Sequence, residues 1–329
     1  MINPFWNSSE HRIRALWRIL LQSVLILVLG LALNFLIPGV VRTPLESTLA
    51  ALVVVTLATW IAARFLDGRR FRDFGLHLTR DWWLDFIFGL ALGVALMSII
   101  FLIEYALGWV VVTGTFVSWS PMQSFFSALL SALLVFISIG FYEELLSRGY
   151  LLTNIAEGLN LSRVGPRAAI LVAFFISSAL FGLAHASNPN ASTISTINLV
   201  LAGLMLGLPY VLTGKLAACI GLHITWNFAQ GVLFGFPVSG MESILSAQII
   251  ATDQAGPDLW TGGAFGPEAG LIGVLAMLLG AVLIFLYTRS RYGRVTLYLP
   301  IAEFSTSSGT PTAPETGPPA SIHRNPPSS

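Results

Sequence analysis

Eight stretches of about 20 mostly apolar residues run through this chain of 329, at roughly 16–37, 46–66, 84–108, 124–150, 166–186, 193–213, 216–236 and 269–288. Each is long enough to cross about 30 Å of hydrocarbon as a helix. No water satisfies the backbone there, so helices or a closed barrel are the available solutions, and unbroken apolar runs select helices. Hydrophobic residues make up 55% of the chain and charged ones 10%, against about a quarter charged in soluble domains. The expected fold is an all-α polytopic membrane protein with about eight transmembrane helices.

The placement of the basic residues sets an orientation. Arg12, Arg14 and Arg18 precede the first run, and Arg64, Arg69, Arg70, Arg72 and Arg80 surround the loop after the second. Arg148, Arg163, Arg167, Lys215, Arg289, Arg291, Arg294 and Arg324 fall near later turns of the same parity, leaving only Arg42 on the other side. The positive-inside rule makes the crowded side cytoplasmic and puts both termini there. The run from Ile19 to Ile37 is too long for a signal-peptide core and lacks a small-x-small cleavage site, so it is expected to stay as the first span. Residues 1–300 are expected to form one transmembrane domain, and 301–329, rich in Ser, Thr and Pro, a disordered tail. A single cysteine, Cys219, rules out an intramolecular disulfide and any cysteine-based metal cluster. No phosphate loop or nucleic-acid patch is present.

Against this apolar background a few polar side chains stand out. The fourth run contains GFYEELLSRGYLL, with Glu143, Glu144 and Arg148 at membrane depth, where ionisable groups are costly and mark function. Glu144 and Arg148, at i,i+4, share a helical face and predict an ion pair, leaving Glu143 on another face. The fifth run ends in FGLAH, with His185 four residues after Phe181. The seventh carries HITWN, with His223 and Asn227 on one face. The other histidines, His11, His77 and His323, lie outside the runs. At 1.5 Å per residue, Glu143, His185 and the His223–Asn227 pair reach similar levels if the fourth-fifth hairpin projects beyond the cytoplasmic side. A carboxylate beside a histidine deprotonates water. A second histidine with an amide stabilises an oxyanion. Together these are the parts of an amide hydrolase without a Ser or Cys nucleophile. The same Glu and His side chains suit zinc as well, although no HExxH is present.

EELLSR, FGLAH and HITWN resemble, in order, the EExxxR, FxxxH and HxxxN/D motifs of the CAAX protease and bacteriocin-processing (CPBP, or Abi) intramembrane protease family. They are similar to those of the type II CAAX prenyl endopeptidases. The motifs fall within 123–236, and TGGAFGPEAG (261–270) also resembles a segment before the last span of some bacterial members. The resemblance implies an intramembrane endopeptidase of a bacterial inner membrane, acting on a membrane-associated peptide or protein. Glu143 would be its general base, His185 would position or activate the water, and His223 with Asn227 would stabilise the oxyanion. Glu144, Arg148 and Phe181 would support the site. Members have been called metalloproteases, and a glutamate-dependent mechanism without metal is implied as well. The latter is the expectation here, with zinc as the alternative cofactor. Ser147 departs from the aromatic residue common before the arginine.

Two other readings fit the same residues: a non-catalytic immunity or scaffolding protein of this fold, and a transporter. Transporters often carry a symmetry-related second set of broken helices, and the sequence has no internal repeat.

Overall fold

The computed structural model describes residues 3–119, 123–241 and 244–304. Among them, seven helices are long and apolar enough to cross a membrane, which marks an integral membrane protein. A short pair, β1 (Trp6–Asn7) and β2 (Arg12–Ile13), leads into α1 (Ala15–Leu36). Next come α2 (Pro44–Ala62), α3 (Arg80–Ala106), β3 (Val110–Ser118) and α4 (Phe125–Glu144). A π-helical stretch, Leu145–Leu152, carries α4 into α5 (Thr153–Leu159). The remaining elements are α6 (Gly165–Ala184), α7 (Thr193–Thr213), α8 (Ala217–Phe228), β4 (Ala247–Gln254), the short α9 (Asp258–Thr261) and α10 (Leu271–Tyr292).

The helical class is as expected. The run at 216–236 gives a shorter helix than the other seven: α8 continues through a π turn, Ala229–Leu233, and is not among the seven long helices. It can be short because it lies inside the protein. Every residue from Ala217 to Ile224 is buried, so its ends need not match the thickness of the hydrocarbon.

Glycines let neighbouring backbones reach α8, as small residues do between membrane helices. A methyl group on Gly221 would lie 2.4 Å from the Phe86 carbonyl oxygen, and one on Gly89 equally close to that of Ala218. On α4, a methyl on Gly140 would meet Ile224 Cγ1 at 2.6 Å. Helix α8 is thus clasped between α3 and α4.

The basic loops gather at one face. Arg18 donates to Asp67 Oδ1 and Glu157 Oε2, both at 3.0 Å, and Arg12 reaches Glu157 at 2.9 Å. Arg69 completes the cluster on Glu157. Close by in sequence to these loops, Lys215 and Tyr292 both bond Asp85, at 3.1 and 2.6 Å. These contacts tie α1, α2 and α5 together, and α3 to α10. Helix α1 is held only at this end, its buried residues being Ala15, Arg18 and Gln22.

The opposite face carries a feature with no counterpart in the helical expectation. Strands β3 and β4 pair antiparallel from Val110↔Gln254 to Ser118↔Ala247, with a bulge between Val112 and Gly114. In the sequence, β3 follows directly on an apolar run, and its partner residues lie between 129 and 144 positions away. The tail expected over 301–329 lies outside the described residues beyond Phe304. Phe304 itself packs on the Arg12 guanidinium, 3.5 Å from its ring centroid.

Candidate active site

Four of the polar residues expected to converge do so. Glu143, His185, His223 and Asn227 line one cavity of about 220 Å³. They arrive on three parts of the frame: Glu143 near the end of α4, His185 as the residue capping α6, His223 and Asn227 on α8. The clasp of α8 between α3 and α4 sets the spacing of the two walls.

The π-helical stretch begins immediately after Glu144. Such wide turns collect at functional sites, and here the stretch keeps Arg148 against the carboxylate while α5 continues toward the basic face. Arg148 Nη1 donates to Glu144 Oε1 at 2.7 Å and Nη2 to the Gly203 carbonyl at 2.9 Å. The i,i+4 ion pair is therefore present, and both partners are buried.

Glu144 does more than neutralise an arginine. His223 Nδ1 lies 2.8 Å from the same oxygen, Oε1. A carboxylate accepts only, so Nδ1–H is the donor. This contact fixes the imidazole plane and turns Nε2 toward Glu143, whose Oε2 is 3.8 Å away. That separation exceeds a hydrogen bond, so both atoms keep capacity for a third group. Glu143 differs from its neighbour in exposure: its side chain is 22% accessible, that of Glu144 not at all.

His185 is oriented in the same manner by backbone. Its Nδ1 donates to the Phe181 carbonyl at 2.8 Å, leaving Nε2 free. Phe181 is the common packing partner. Its ring centroid lies 4.9 Å from that of His185 and 5.9 Å, edge to face, from that of His223. The Arg148 guanidinium sits 4.5 Å from the same centroid, a favourable cation–π contact.

Among the described residues no three His, Cys, Asp or Glu side chains are grouped to hold a metal ion.

Two features of the cavity were not singled out in the sequence. Glu268, from the turn Pro267–Ala269, lines it together with Ser239. A second, larger cavity of about 1030 Å³ lies along β4, bordered by Trp119, Phe236, Gln248 and Asp253, and shares Pro44 and Ile244 with the smaller one. The quoted TGGAFGPEAG contains Glu268, but nothing local in that segment places it beside residues 45 to 125 positions earlier.

Helical spans around a cavity lined by carboxylate, imidazole and amide define a polytopic membrane protein with a polar site. Residues 125–229, about a third of the chain and the part that carries all three motifs, match the family model described as Type II CAAX prenyl endopeptidase Rce1-like. The match bears out the resemblance and supports a protease of the CAAX type. No curated protein matches the chain, and no solved structure does.

Proposed function

We propose that the protein is an intramembrane endopeptidase that hydrolyses a peptide bond of a membrane-associated peptide or protein. The observation that carries this reading is the convergence of Glu143, His185, His223 and Asn227 on one cavity within the family-matched segment. Glu143 takes a proton from a water that His185 Nε2 helps to orient. The resulting hydroxide adds to the scissile carbonyl. The developing oxyanion is met by Asn227 Nδ2–H and, when that nitrogen is protonated, by His223 Nε2–H. Glu144 holds His223 in register throughout.

The reaction proceeds without a bound metal, in the bacterial inner membrane, with both termini on the cytoplasmic side. The substrate reaches the catalytic cavity through the larger one, past Pro44 and Ile244. Comparative terminus proteomics of cells carrying wild type or Glu143→Gln tests the assignment. New membrane-protein termini present only with wild type are expected. Identical termini in both strains, with the variant inserted at wild-type level, would overturn it.

A further inference from the structure

Glu268 is built into the catalytic cavity with unusual care for a residue in a loop. It is 2% exposed, and a carboxyl in such surroundings is costly unless its oxygens are partnered. One oxygen is well served: Oε1 accepts from both the backbone N–H and the hydroxyl of Ser239, each at 2.6 Å. The other, Oε2, has no partner among the described residues.

The surrounding backbone is shaped to hold this pose. Ser239 has φ +48°, a left-handed conformation that a non-glycine residue adopts at a cost. Its carbonyl accepts from Asn188 Nδ2 at 3.0 Å, which ties it to the loop just after His185. Gly266, at φ +111°, leaves no room for a side chain, since a methyl there would lie 2.2 Å from the Pro237 oxygen. Asn198 Nδ2 anchors the far side of the turn through the Ala269 carbonyl at 2.8 Å. Burial pushes the Glu268 carboxyl above the ordinary carboxylate range, opposed in part by the Ser239 hydrogen bonds and by the nearby Gln230 amide and His185.

Resting on the proteolytic reading above, we propose that Glu268 is a second catalytic residue, which delivers the proton to the leaving amine from Oε2. Glu143 takes one proton from water as the C–O bond forms. When the tetrahedral intermediate collapses, the C–N bond breaks, its electron pair stays on nitrogen, and Oε2–H of Glu268 transfers its proton there. The proton held by Glu143 then returns the pair to its starting state through His185 or water, so that one water is consumed per bond. The partly accessible Glu143 serves as base and the buried Glu268 as acid, the division expected when two carboxyls sit in unlike environments.

Leaving groups that need no proton separate this role from a scaffolding one. The probes are a peptide amide spanning a cleavage site mapped by terminus proteomics, and the nitrophenyl ester of the same acyl segment. Glu268→Gln, which keeps the Ser239 contacts, should lose about 100-fold or more in kcat on the amide and only a few-fold on the ester. Glu143→Gln should lose both activities. Equal losses on the two substrates in Glu268→Gln would overturn the proposal, as would wild-type amide cleavage in that variant while Glu143→Gln is inactive. Wild-type amide cleavage in both variants would overturn the roles of both carboxyls, and no amide cleavage by the wild-type protein would remove the proteolytic reading itself.

If Glu268→Gln does not insert, the wild-type amide-to-ester rate ratio is followed with pH. Tyr142, Glu143, His185 and His223 also face the cavity, but they act on both substrates and cancel in the ratio. The ratio should fall on the alkaline side as Glu268 loses its proton. A flat ratio would overturn the proposal.

Discussion

His223 Nδ1 lies 2.8 Å from Glu144 Oε1, the oxygen that also receives Arg148 at 2.7 Å. A residue expected only to balance a charge therefore aligns an imidazole of the site as well. The two adjacent glutamates divide their work by exposure, one meeting the cavity and one sealed behind it.

Glu143→Gln should remove at least about 100-fold of kcat, the range for a lost general base, with little change in thermal unfolding in detergent. Among the described residues its carboxylate has no ion-pair partner closer than 3.8 Å. A large drop in melting temperature would show that Glu143 is structural instead.

Glu144→Gln should behave in the opposite way. It strands a buried guanidinium, and breaking one side of a buried pair costs about 3–5 kcal/mol. Reduced melting temperature together with lost activity is expected. Restoring Arg148 balance with Glu144→Gln/Arg148→Met should recover stability but not turnover, because His223 Nδ1 is still left without its carboxylate.

Asn227→Ala should reduce kcat by about 100- to 1000-fold, as loss of one oxyanion donor does, while KM changes little. Ile244→Trp should do the reverse, raising KM at the neck shared by the two cavities and sparing kcat. Unchanged KM in Ile244→Trp would argue for a different substrate route.

The raised Glu268 carboxyl also makes a stability prediction. Below the unfolded-state pKa, the group is protonated in both states and contributes no slope. Between that value and the higher folded one, only the unfolded chain ionises, so stability falls as pH rises. Above the folded value the slope ends. Glu268→Gln should flatten this limb in pH-dependent unfolding, and an unaltered limb would refute the burial argument.

Much of the site was legible because helix spacing is local. Glu144 and Arg148 were readable as a pair at i,i+4, and the runs placed Glu143, His185 and His223 at comparable heights. The bond from Glu144 to His223 was not readable, since it spans 79 positions and depends on how α4 and α8 turn toward each other. Glu268 was quoted within a motif yet not selected, because its partner Ser239 lies in a separate loop and its cavity wall exists only once β3, β4 and the turn fold back. Strand β3 was hidden for a related reason: VVVTGTFVS follows an apolar helix directly, and its pairing partner is distant in sequence. Hydropathy alone did not reveal that the run behind α8 is enclosed by protein, because it cannot distinguish burial in lipid from burial in protein.

The seclusion of α8 has a consequence for how the surrounding membrane acts on the protein. Bilayer thickness strains helices that end at the lipid surface, and α8, buried from Ala217 to Ile224, is not among them. His223 rides on this helix about 9 Å from its basic-face end, insulated by α3 and α4. Lengthening the acyl chains of a reconstituted bilayer should therefore move the unfolding temperature through the outer spans, α1 above all, while leaving the turnover number nearly constant.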